Sequence, residues 1–147
     1  MLPLERTQPT IKYKDCLLVT RHKLLMEQER DLNQICEKIS RIETLPTDLN
    51  ELKKIADFYD AIIGVIPLPL QVQLLELRKT VILFYMESLG TAKSKAEAEE
   101  MLKNSSLEGV ILPPAREGEP YRVSIYKGLL RVKEIKIEEE FIIKHET

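Results

Sequence analysis

Between Tyr121 and Lys133 the chain places four cations, Arg122, Lys127, Arg131 and Lys133, and no acid, with Tyr121 and Tyr126 interleaved. Cations can neutralise phosphates, and aromatic faces can stack on bases. These six residues are therefore a candidate nucleic-acid-binding surface. A site that used all four cations on duplex DNA would show a log–log salt slope of about −3.6, from roughly −0.9 per phosphate. The same pattern also fits an exposed sheet edge that carries Lys and Arg against aggregation. A second basic group, Lys12, Lys14, Arg21, His22 and Lys23, lies near the start of the chain.

The other chemistry-bearing residues are sparse. Cys16 and Cys36 are the only cysteines, His22 and His145 the only histidines, and none stands in a Cys-x-x-Cys or similar metal pattern. A structural zinc site needs about four converging ligands, so no metal is expected. Glu138, Glu139 and Glu140 read as a solvated acidic strand end. The five glycines are isolated, which leaves no phosphate-binding loop, and no Gly-x-Ser-x-Gly or His-Glu-x-x-His motif is present. The reading is a protein that is not an enzyme, with no catalytic residue, no cofactor and no evident small-molecule ligand.

Composition sets the background. The chain has 147 residues, 44% hydrophobic and 31% charged, with a formal net charge of −2. That balance suits a folded domain and gives no global attraction to nucleic acid. With no Trp, the core has to be built from Leu, Ile and Val. Met1-Leu2-Pro3-Leu4 meets Glu5 and Arg6 too early for a signal peptide. Free thiols and the lack of a leader predict a cytoplasmic protein, or a nuclear one in a eukaryote. The most apolar stretch, residues 62–85, is interrupted by Pro67, Pro69, Glu76, Arg78 and Lys79, so no membrane span is expected.

The elements that position these residues are predicted as follows. Leu18, Leu25, Leu32 and Ile39 recur every seven residues. With no intervening proline or glycine, they predict one long helix over 16–43, although residues 11–20 also alternate as a strand would. Asp48 with Glu51 forms a helix-start signal, and Leu49, Ala56 and Ile63 continue a seam, which predicts a helix over 48–66. Pro67 and Pro69 then make a stiff turn, and a second helix follows over 70–89. Ser94 and Glu97 predict a short helix over 94–104. After Leu107 the pattern turns to β, with "YRVSIYKG" and "LLRVKEIKI" reversing at Gly128 and "EEEFIIKH" as a possible last strand.

The expected fold is α+β and mainly helical: a long N-terminal helix packed with an antiparallel helical hairpin, followed by a small C-terminal antiparallel β-sheet. Residues 1–106 would form the helical domain and 107–147 the β-rich segment packed on it. The function that fits is a non-enzymatic assembly subunit, a helical bundle or coiled coil. It would bind itself or another protein subunit through Leu18, Leu25, Leu32 and Ile39 on the first helix. One alternative is an accessory nucleic-acid-binding protein, associated with replication or transcription, that acts through the basic hairpin. Another is a small phage or viral protein that binds a host enzyme.

Overall fold

The computed structural model describes residues 12–136 together with 140, 142, 143 and 145. Ten elements follow one another: β1 (Tyr13–Val19), α1 (Met26–Ile35), β2 (Cys36–Ile42), α2 (Leu49–Asp57), β3 (Ala61–Gly64), α3 (Leu68–Glu76), β4 (Thr80–Ala92), α4 (Lys95–Ser105), β5 (Gly109–Leu112) and β6 (Tyr121–Val132). The six strands form one curled mixed sheet in the order β2-β1-β3-β4-β6-β5. β1, β2, β3 and β4 run parallel, and β6 pairs antiparallel with both β4 and β5.

The sheet has helices on both faces. Leu17, Val19, Ile62 and Val81 pack with Leu52 and Ala56 of α2 and with Leu70 and Leu74 of α3. The alternate residues Cys16, Leu18, Ile63 and Ile82 pack with Leu32 of α1. A central parallel strand covered on both faces is apolar at every position, not every second one. "CLLV" in β1 and "AIIG" in β3 are buried throughout for that reason. A smaller cluster of Ala92, Ala98 and Val123 fixes α4 against the sheet.

This architecture corrects the mainly helical α+β expectation. The segment 16–43 is not one helix or a coiled coil but strand, loop, helix and strand. Leu18 and Leu32 fall in the core beneath α1, Leu25 is the residue before α1, and Ile39 sits half-exposed on β2. Their seven-residue spacing defines no common face. The predicted helical hairpin is the run α2-β3-α3-β4: α2 stops at Asp57, and residues 61–64 are strand. α3 stops at Glu76, and residues 80–92 are strand. Strands occur from Tyr13 onward, so the sheet is no small C-terminal addition.

The predicted β-hairpin is likewise one strand. β6 runs through Gly128 to Val132, and Gly128 pairs with Tyr85 beside a register shift at Tyr85/Met86. With φ +146 it absorbs a bulge in place of turning the chain. Ile137, the end of the predicted strand 129–137, and Glu138, Glu139, Phe141 and Lys144 of the predicted last strand lie outside the described residues. Among the described residues no helix is long and apolar enough to cross a membrane.

Candidate functional site

The site begins at the C-terminus of α3. The N–H of Lys79 donates to Leu74 O at 3.0 Å and that of Arg78 to Leu75 O at 2.9 Å. This pair of bonds closes a helix around a residue in the left-handed conformation, a position where glycine is favoured. Here the position holds Arg78, with φ 61. An L-residue there costs roughly 1–2 kcal/mol. The cost brings no packing gain, since Arg78 is exposed.

Lys79 leads into β4, and β4 pairs with β6 so that Val81 faces Val132 and Ile82 faces Arg131. The start of β4 and the end of β6 therefore lie side by side. Arg78, Lys79, Arg131 and Lys133 surround one concavity of about 330 Å³, with Leu75, Thr80 and Val132 completing the wall. No acid lines it. Lys79 Nζ donates to Tyr59 O at 3.3 Å. Among the described residues, Arg78, Arg131 and Lys133 make no ion pair. The four cationic residues thus border one partly enclosed concavity, where the lower dielectric strengthens attraction for an anion.

Only two of the predicted nucleic-acid-binding residues are in this group. Arg122 lies at the far end of β6, opposite Thr91 and Leu112. That is about 30 Å from Arg131 at roughly 3.4 Å per residue. Lys127 Nζ is paired with Glu87 at 3.7 Å. Tyr121 packs against the α4 cluster. Tyr126 is buried, and its hydroxyl donates to Asp31 at 2.6 Å. Burial, and then the Asp31 contact, pushes the phenol pKa well above its ordinary value. The Tyr126 ring is therefore closed to base stacking, and Tyr121 is half-buried. The earlier basic group is also split, with Lys12 and Lys14 at the start of β1 and Arg21, His22 and Lys23 beyond its end.

Arg78 and Lys79 were missed as functional residues because they read as interruptions in an apolar helix. An Arg-Lys pair between a helical stretch and the β-branched run "TVI" was the available signal. Cys16 and Cys36 are buried. Both pack in the cluster beneath α1, and the neighbouring Cys36 thiol, then burial, pushes the Cys16 thiol pKa up. No protein-family model matches the chain, and neither a curated protein nor a solved structure matches it.

Proposed function

We propose that the protein is a non-enzymatic nucleic-acid-binding protein that holds backbone phosphates in the pocket of Arg78, Lys79, Arg131 and Lys133. The observation that carries this reading is that four cationic residues from two distant segments line one concavity, with no acid beside them among the described residues. An edge charged only against aggregation has no need to gather cations around a pocket, or to place Arg at a strained helix end. A concavity of about 330 Å³ accommodates about two adjacent phosphates. A splayed single strand enters it more readily than a rigid duplex.

The test is fluorescence anisotropy with an oligothymidylate across a salt series. Binding at low salt should weaken with a slope of about −1.4, from roughly −0.7 for each of two single-strand phosphates. The double variant Arg131→Glu, Lys133→Glu should abolish binding and keep the fold, because both residues are exposed. Absence of binding at roughly 50 mM salt, or unchanged affinity in the double variant, refutes the reading.

A second reading, a subunit of a protein assembly, draws on the outer edge of the sheet beside β6. β5 is an outer strand without a charged residue, and Leu107, Val110 and Leu112 are exposed beside or on it. The other outer strand, β2, carries Glu37, Lys38 and Arg41, the usual protection of an edge. Light scattering of the wild type and of Val110→Lys tests it. A wild type that is monomeric at tens of micromolar removes self-association through β5.

A further inference from the structure

We propose that the crevice beyond the carboxyl ends of β1 and β3 is a second binding site, separate from the basic pocket, for a small organic acid with an apolar body. β1 delivers the chain to α1 on one face of the sheet, and the neighbouring β3 delivers it to α3 on the other. Where adjacent parallel strands send their loops to opposite faces, a crevice opens beyond the strand ends. Two concavities of about 500 Å³ and about 630 Å³ flank this point and share Thr20, His22 and Val65. Those sizes suit small organic ligands.

The floor of the crevice is held tightly. The Val65 N–H donates to Val19 O at 2.8 Å. A Cβ on Gly64 would lie 2.2 Å from that same oxygen, and Gly64 has φ +130. Only glycine lets β3 close on β1 here. Val65 is left 63% exposed at the junction of the two concavities. Thr20 is buried beside it, and its hydroxyl oxygen accepts the His22 N–H at 3.1 Å.

The chemistry of the walls selects the ligand. In this class of fold, a phosphate commonly sits on the N-terminus of the helix after the first strand. Here that place is already taken. Glu108 Oε1 accepts from Glu27 N–H at 2.8 Å and Oε2 from Met26 N–H at 3.3 Å, while Gln28 Oε1 accepts from Leu25 N–H at 2.8 Å. At α2 the Asp48 carboxylate accepts from Glu51 N–H. At α3 Pro67 and Pro69 remove donors. A nucleotide phosphate therefore finds no free backbone cradle. Leu45, Leu70 and Pro67 line one concavity, and Leu24, Leu83 and Phe84 line the other. At the rim stand Arg21, His22 and Lys23, opposed by Glu43. Apolar walls under a mainly cationic rim fit a carboxylic acid with a medium-length alkyl or aryl body.

Calorimetric titration of the full chain with decanoate, decylamine and ADP tests this. Decanoate should bind, and decylamine and ADP should bind at least about tenfold more weakly. Val65→Glu places a like charge where the concavities meet and should weaken decanoate about tenfold. Its exposed position lets the variant fold, which a thermal melt checks. The Arg131→Glu, Lys133→Glu variant should bind decanoate like the wild type, so failure of the phosphate pocket and failure of this crevice are separable. No decanoate heat at about 1 mM, equal binding of decylamine, preference for ADP, or an unaffected Val65→Glu variant would each overturn the proposal.

Discussion

Glu108 accepts a 2.8 Å hydrogen bond from the backbone N–H of Glu27, a residue 81 positions earlier in the chain. Four free N–H groups and a partial positive charge lie at the start of any helix, and here a carboxylate from the segment between α4 and β5 answers them. The contact ties the curled far edge of the sheet to α1. The Tyr126–Asp31 bond ties β6 to the same helix.

Removing that carboxylate should loosen α1 and the β5 edge together. Glu108→Ala is expected to cost about 1 kcal/mol, in the range of a lost helix cap with its dipole contribution. Glu108→Gln should lose less, since an amide oxygen still accepts one bond. Urea denaturation measures both, and hydrogen exchange should show faster exchange at Met26 and Glu27 N–H. An unchanged midpoint for Glu108→Ala would show that water replaces the carboxylate at no cost.

Arg78→Gly should move stability and binding in opposite directions. Glycine adopts φ 61 without the roughly 1 kcal/mol strain of an L-residue, so the melting temperature should rise. Oligonucleotide affinity should fall, because one of the four converging cations is gone. A variant that is both more stable and binds as well as the wild type would remove Arg78 from the site.

Tyr126 makes stability sensitive to alkaline pH. Its folded pKa is raised, by burial first and by the Asp31 hydrogen bond second, above about 10 in the unfolded chain. Above pH of about 10 the unfolded state has released this proton and the folded state still holds it, so unfolding stability falls as pH rises. The contribution is complete below that pH. Tyr126→Phe should lower stability at neutral pH by the lost hydrogen bond, about 1 kcal/mol or more. Between pH 9 and 11 its stability should decline less steeply than that of the wild type. Parallel declines in the two proteins would contradict the burial of the phenol.

The two leucine-pattern positions Leu32 and Ile39 should behave differently. Leu32 is 1% exposed and Ile39 39%. Leu32→Ala should cost about 3 kcal/mol through the cavity left beneath α1, and Ile39→Ala under about 1 kcal/mol. Equal and large losses would contradict the exposed position of Ile39 on β2. Denaturant titration of the two variants decides it.

Much of the local detail was legible in the residues. Asp48 accepts from Glu51 N–H and Ser94 from Glu97 N–H, the reciprocal spacing that marks a helix start. Pro67 and Pro69 mark a helix start, where a missing N–H costs no intrahelical bond, but the element before them is a strand and not a helix. Arg131 and Lys133 stood out by charge alone.

What only the tertiary structure decided is which elements those signals bound. An apolar run such as "CLLV", "AIIG" or "TVIL" has no period when both faces of a strand are covered, so periodicity cannot separate it from a turn of buried helix. Burial on both faces depends on α1 packing one side and α2 and α3 the other, which no local window contains. Leu18, Leu25, Leu32 and Ile39 kept heptad spacing while occupying a strand, a loop, a helix and another strand. The pocket arose in the same way. Arg78 and Lys79 meet Arg131 and Lys133 only because β4 pairs with β6 in the register Val81 to Val132. The residues themselves determine charge and capping, which act over a few positions, whereas strand register is settled by the packing of the whole sheet.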